Sequence, residues 1–264
     1  MLKGGESMKV ISICDHKGGV GKTTTAGALA QGLAKKKKNK VLLIDGDPQG
    51  TATSSVYGVT DIRHTLYDVI TGKVTASRAV ISTEAGDLIP YDKQLANLDI
   101  EYQTNNVKQM MKNYGRLKEA LTSLEGSYTH VIIDTAPGLA SLITWQALTA
   151  SDNVLIPIVC SPDNYDNLKL TIEDVENIKE VTNPDINISG VFFNLHGGRS
   201  NIMKQFEELY KDTCKQYGIK LLKTTVRRSV TVQEAHALGQ SLFDYSPKAP
   251  VTNDYKSLIE ELKF

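Results

Sequence analysis

The stretch HKGGVGKTTT, residues 16–25, constrains this chain more than any other part of it. It follows a short β-branched run, KVISICD (9–15), and opens the helix-forming run KTTTAGALAQGLAKKKK. Strand, glycine-rich loop and helix in that order predict an anion cradle. Gly18, Gly19 and Gly21 let backbone N–H groups turn toward a phosphate without a Cβ clash, and the helix N-terminus adds partial positive charge. Gly21-Lys22-Thr23 completes the pattern G-x-x-x-x-G-K-[ST]. That places Lys22 beside the β- and γ-phosphates of a nucleotide and the Thr23 hydroxyl on Mg²⁺. The first glycine of the pattern should stand at position 16, where the chain has His16, followed by a second lysine, Lys17. A loop that wraps one triphosphate has no evident use for two lysines.

Strands alternate with helices along the rest of the chain. KVLLIDGD (40–47), GDLIPYD (86–92), THVIIDTAP (129–137), NVLIPIVC (153–160) and ISGVFFN (188–194) read as strands. Helical spacing recurs over 105–125, 166–181, 201–217 and 254–263. The lysine run Lys35–Lys38 falls at the C-terminal end of the first helix, where the dipole favours positive charge. Apolar runs without polar alternation fit strands buried on both faces. The predicted fold class is α/β, a doubly wound, mostly parallel sheet with helices on both faces, in a single domain over 1–264. Codons for Lys3-Gly4-Gly5-Glu6 can spell a ribosome-binding site, so translation is expected to start at Met8, with 1–7 untranslated or disordered.

Two further elements carry carboxylates. Asp134 ends an apolar strand, the place from which a Walker-B aspartate reaches a magnesium shell. DGDPQGTAT (45–53) also follows a strand, and Asp45 and Asp47 alternate, so only one of them faces the site while the strand stays extended. A loop carrying a carboxylate beside the γ-phosphate can position water or sense the phosphate; an ordinary acidic turn is the alternative.

Composition excludes several classes. Thirty basic and thirty acidic residues cancel, so no global field attracts nucleic acid. No apolar run approaches the roughly 18 residues of a membrane span, and the N-terminus has no signal-like stretch, so a cytoplasmic protein is expected. The cysteines, Cys14, Cys160 and Cys214, suit reduced thiols, and no histidine spacing marks a transition metal. Charge is uneven locally: residues 197–228 carry a balance of +5 and residues 151–185 a balance of −6. Two solvated helical faces would also account for both.

KGGVGKTT (17–24), DGDPQGTAT (45–53) and VIIDTAPGL (131–139) together resemble the deviant Walker-A ATPases, and within them the ParA/Soj partition proteins. TLYDVITG, LIPYDKQLANLD, ALTASDNVLIPI, VRRSVTVQEA and LFDYSPKAPVTNDY extend the resemblance almost end to end. It implies an ATPase of weak basal activity that uses ATP and Mg²⁺, the magnesium held by Thr23 and Asp134. Lys17, Gly18, Gly19, Val20, Gly21, Lys22, Thr23, Thr24 and Asp45 would form the nucleotide cradle, with Asn194 at the adenine edge. Catalysis would rest on Lys22 in cis, Lys17 reaching in trans to the nucleotide of a second copy, and Asp47 positioning water. It further implies an ATP-dependent homodimer that binds DNA without sequence preference, associates with the nucleoid, and is discharged by a ParB-type centromere-binding partner. The +5 segment offers Arg199, Lys204, Lys223, Arg227 and Arg228 for DNA. No helix-turn-helix domain fits ahead of Val10, so the short ParA form is expected. Departures are Asp15-His16 for the usual Asn-Gln, Ala136 for a proline, and Thr231 for a basic residue.

Two other readings share this scaffold. A MinD-like, membrane-recruited regulator needs a basic amphipathic tail; NDYKSLIEELKF puts Tyr255, Leu258, Ile259 and Leu262 on one face, but its charges sum to −1. A metabolic P-loop enzyme is the other, and a cluster-bridging reductase is poorly served by three scattered cysteines.

Overall fold

A computed structural model describes residues 7–138, 141–197 and 201–264, apart from the side chains of Asp163 and Asn201. Residues 1–6, and with them most of the segment expected to be untranslated, lie outside the described residues. The strands are β1 (Lys9–Ile13), β2 (Val41–Gly46), β3 (Ile81–Thr83), β4 (Gly86–Ile89), β5 (His130–Thr135), β6 (Asn153–Ile158) and β7 (Asn187–Phe193). Among the described residues they form one sheet in the order β3-β4-β2-β5-β1-β6-β7. Every pairing is parallel except that of β3 with β4.

The helices in chain order are α1 (Lys22–Ala34), α2 (Leu66–Ile70), α3 (Ala76–Ala79), α4 (Leu98–Glu101), α5 (Val107–Leu121) and α6 (Leu142–Ala150). There follow α7 (Tyr165–Val181), α8 (Asn201–Gln216), α9 (Val230–Ala237), α10 (Leu242–Tyr245) and α11 (Pro250–Leu262). Successive strand residues feed opposite cores, as the two-residue period requires. Ile11, Ile13, Leu43 and Ile132 pack with Leu29 and Leu33 of α1 and with Tyr255, Leu258 and Ile259 of α11. Leu42, Ile44, Val131 and Ile133 face the other way, against Leu117 and Leu121 of α5 and Ile143 and Ala147 of α6. Val154, Ile156 and Ile158 join Leu168, Ile172 and Val175 of α7 in a third cluster. Each such aliphatic side chain is worth about 1.5–3 kcal/mol on burial.

The predicted strands and long helices are all present, mostly a few residues shorter at their ends. The lysine run falls at the C-terminal end of the first helix, as expected, but begins at its C-cap and lies beyond its last turn. α1 ends at Ala34, Lys35 is its C-cap, and no basic residue lies in its last turn. Lys35 reaches Asp244 of α10 at 2.5 Å, so a partner across the chain, not the dipole, occupies it. β3 and α6 were not foreseen: β3 is three half-exposed residues, and α6 is apolar almost all round, which blurs its 3.6-residue signature.

α11 also fastens the segment after α8. Glu261 accepts the N–H groups of Lys223 (3.0 Å) and Thr224 (2.9 Å), accepts the Thr224 hydroxyl (2.8 Å), and pairs with Lys220 (3.3 Å). Burial alone would raise its carboxyl, but these donors together hold it down at about 2. A depressed carboxylate stabilises fully above its unfolded value of 4.5 and loses that contribution as pH falls toward 2. Glu261→Gln should therefore cost about 1–3 kcal/mol at neutral pH. In urea titrations the gap from the parent should close on acidification through this window; a gap independent of pH would show that the charge is not its source.

Candidate functional site

In the strand order, β1 sits between β5 and β6, while the chain runs from β1 outward past β5 to β2 and later returns to β6. The crevice beyond the C-terminal end of β1 is therefore a topological switch point, where open α/β sheets hold ligands. The loop 14–21 emerges there. Gly19 and Gly21 have φ of +78° and +87°, left-handed values that a side chain would strain. Gly18 and Gly19 are exposed, Val20 is buried beneath them, and Thr23 and Thr24 are half-buried in the first turn of α1. No acceptor among the described residues takes the N–H groups of Gly18, Gly19, Val20 or Gly21, and α1 has no side-chain cap. Unpaired N–H groups at a helix N-terminus form a nest for an anion.

Lys22 is buried, 6% exposed, and its Nζ donates to the carbonyls of Lys17 (2.8 Å) and Asp15 (3.1 Å). Burial lowers its pKa, and Asp15, Asp134, Cys14 and Asp47 oppose that in descending order. The ammonium thus lies folded into its own loop amid carboxylates, able to swing toward a phosphate. Lys17 is half-buried on the outer limb of the same loop, and its N–H donates to Asp15 Oδ1 at 2.6 Å.

The three carboxylates of the two acidic elements converge. Asp134 at the end of β5 stands in register with Asp45 on β2. Asp134 is wholly buried and neither oxygen has a hydrogen bond of normal geometry, although the Thr23 hydroxyl lies close enough to favour its ionised form. Burial first, then Asp45, drives its pKa well above the usual range. Asp45 is committed elsewhere: its Oδ2 takes the Thr53 N–H (2.8 Å) and hydroxyl (2.7 Å), and its pKa is raised to about 6, chiefly by burial. Of the alternating pair, then, Asp45 braces the 45–53 loop. Asp47 stays close enough to Lys22 and Asp134 to influence both, with one oxygen accepting the Gln49 N–H at 2.9 Å. Two orphaned oxygens in a buried carboxyl beside a second carboxylate and a hydroxyl are the hard oxygen donors that suit Mg²⁺.

Asn194, just after β7, touches the loop itself: its Nδ2 donates to Val20 O at 2.8 Å, while its Oδ1 is buried without a partner. The sequence also passed over the residue that anchors the loop. His16 bonds to Asp174 of α7, and Asp15 is buried with its pKa raised to about 6, mainly by burial. The departure from Asn-Gln at these positions was the one signal available.

The basic segment is more subdued than its charge count suggested. Arg227 is bidentate to Asp254 of α11, through Nε at 2.6 Å and Nη2 at 2.9 Å. Lys204, Lys223 and Arg228 are exposed and form no ion pair among the described residues; Arg199 lies outside the described residues.

The model of the AAA domain family matches residues 8–188. Over 260 residues the chain is 34% identical to the chromosome partitioning protein ParA of Caulobacter vibrioides, covering 97% of this chain and 94% of that one. It is 35% identical over 258 residues to the sporulation initiation inhibitor protein Soj of Bacillus subtilis, covering 96% and 98%. The chain belongs to the ParA/Soj family of partition ATPases. Its fold agrees with that membership. A solved structure of cobyrinic acid a,c-diamide synthase from Mycobacterium smegmatis, with bound ATP analog and magnesium, superposes with a TM-score of 0.80 at 25% identity, covering 97% and 94%. Among the described residues of this ParA/Soj-family chain, no helix is long and apolar enough to cross a membrane.

Proposed function

We propose that this partition ATPase works as an ATP-switched, DNA-binding dimer. The observation that carries the reading is the loop at the end of β1, with its unpaired N–H nest, a buried lysine and the orphaned carboxyl of Asp134. Gly18, Gly19, Val20, Gly21, Lys22, Thr23 and Thr24 would hold the triphosphate, and Thr23 with Asp134 would hold Mg²⁺. When bound, the metal neutralises charge on the phosphates and relieves the crowding of carboxylates around Asp134. Lys22 exchanges its two loop carbonyls for phosphate oxygens, which are stronger, charge-assisted partners. Asp47 orients the attacking water, while Asp45 fixes its loop through Thr53. Asn194 acts by supporting Val20, and its free Oδ1 remains for the base.

Lys17 completes the site of a second copy, which makes dimerisation depend on ATP. Each subunit then offers Lys204, Lys223 and Arg228 to DNA, with Arg227 held by Asp254 as a brace. About three phosphate contacts per subunit give a dimer a salt slope near −5 and a monomer about half that. A ParB-type partner would stimulate hydrolysis and release the DNA.

Arg228→Ala tests the DNA surface. ATP-dependent dimerisation should be unchanged, while the salt slope of DNA binding falls in magnitude by about 2, one contact on each subunit. Unchanged affinity at low salt would count against the surface. ATP turnover should be low alone and rise with DNA and the partner together; high turnover without either would argue against partition. The membrane-recruited alternative is disfavoured by α11, whose Tyr255, Leu258 and Ile259 are at most 4% exposed in the core.

A further inference from the structure

His16 replaces the glycine that opens the usual loop, and two other elements, α7 and the loop after β5, meet on it. Its ring Nε2 lies 2.5 Å from Asp174 Oδ2 on α7. A carboxylate only accepts, so the ring donates. Its backbone N–H donates to Thr171 Oγ1, also on α7, at 3.2 Å. Its carbonyl accepts the N–H of Gly138, in the loop after β5, at 3.1 Å. Thr171 and Asp174 are three apart and so share one face of α7. The ring is about three-quarters buried and Asp174 about two-thirds, so solvent competes weakly for the contact. The next residue is Lys17, whose own N–H is tied to Asp15. The His16 N–H and carbonyl are therefore fixed to neighbouring elements, and the Lys17 N–H to Asp15 within the loop itself.

We propose that His16 is a positioning residue: by latching the loop to Asp174 and Thr171 of α7 it sets the origin and direction of Lys17 for its contact with the second subunit's nucleotide. This rests on the reading that Lys17 acts across a dimer. A lysine side chain is long and loses much rotamer freedom when it is placed, so a wandering base would waste its reach. Displacing a functional group by about 1 Å commonly costs about a hundredfold. Lys22 projects from the helical side of the loop and is braced by the carbonyls of Asp15 and Lys17. Lys22 is nonetheless rooted on α1, and the unpaired N–H groups of residues 18–21 lie beyond the latched limb, so loss of the latch should fall mainly on the contact between chains.

The test compares the full-length parent with His16→Ala, His16→Gln, Asp174→Ala and the His16→Ala/Asp174→Ala double variant. ATP affinity is measured at protein concentrations that keep the chain monomeric, and the ATP-dependent dimer constant by sedimentation. His16→Ala and Asp174→Ala should each weaken the dimer at least about tenfold while changing monomer ATP affinity less than about threefold. The double variant should be no weaker than the poorer single variant by more than about twofold, because one contact is lost in all three. His16→Gln, whose amide nitrogen can stand near the place of Nε2, should recover most of the loss. Unaltered dimerisation in both single variants would overturn the latch. So would a parallel fall of thermal stability, ATP affinity and dimerisation, which would make His16 a plain structural brace. A parent that stays monomeric with ATP would instead sink the two-chain reading itself, whereas a dimerising parent with unaffected variants refutes the latch alone.

Discussion

Asp134→Asn should abolish magnesium-dependent ATP hydrolysis while leaving the nucleotide-free protein as stable as the parent or more so. The wild-type carboxyl is completely buried, has no hydrogen bond of normal geometry, and faces Asp45 and Asp47. Burial raises its pKa, and so does the negative charge of Asp45. Raised acids bind a proton more tightly folded than unfolded, so this group weakens the apo protein at neutral pH, and the penalty fades on acidification. Asparagine keeps the shape and removes the charge, which should add on the order of 1–2 kcal/mol to apo stability. The same change strips the metal of a charged ligand, worth several kcal/mol in a transition state that spreads negative charge. Turnover should fall about a hundred- to ten-thousandfold. Calorimetry without nucleotide and ATPase assays with magnesium read the two halves. A variant that loses apo stability and keeps its turnover would remove Asp134 from the metal site.

Lys22→Ala should be still more damaging to binding. The Lys22 side chain is the one basic group buried at the loop; burial lowers its pKa, and Asp15, Asp134, Cys14 and Asp47 offset that effect. Its replacement removes charge-assisted contacts to phosphate, each about twice as strong as a neutral hydrogen bond. It also removes the internal braces to the carbonyls of Asp15 and Lys17. ATP and ADP affinity should fall at least about a hundredfold, or roughly 3 kcal/mol. On the proposed reading, in which both depend on bound ATP, dimerisation and DNA binding should disappear with it. Fluorescent-nucleotide titration measures the first loss. An affinity within about threefold of the parent would show that the backbone nest alone holds the phosphates.

Much of this site was legible because its parts are local. A strand, three glycines, a lysine and a threonine lie within 9–25, and the apolar strands before Asp45 and Asp134 announce where those carboxylates emerge. Register between β2 and β5 then brings Asp45 opposite Asp134. The resemblance supplied the role of Lys17, which no local pattern does. What the chain hides is pairing over distance. His16 and Asp174 are 158 residues apart, and nothing near either residue announces the other. The basic segment looked freer than it is because its counter-charges arrive from α11, at Asp254 and Glu261. The residues alone left Asp45 and Asp47 as alternatives, the resemblance gave the water to Asp47, and only the structure shows Thr53 claiming Asp45. β3 is too short, and α6 too uniformly apolar, to leave a period in the sequence.

The central claim is that one loop serves two nucleotides, Lys22 the chain's own and Lys17 its partner's. Lys17→Ala separates them most directly, by sedimentation with ATP and magnesium alongside nucleotide titration of the monomer. The variant should bind ATP within about threefold of the parent, since the nest and Lys22 are intact, and should remain monomeric where the parent dimerises. If Lys17→Ala still forms the ATP dimer at the parent's affinity, Lys17 is an ordinary loop lysine and the two-chain account is wrong.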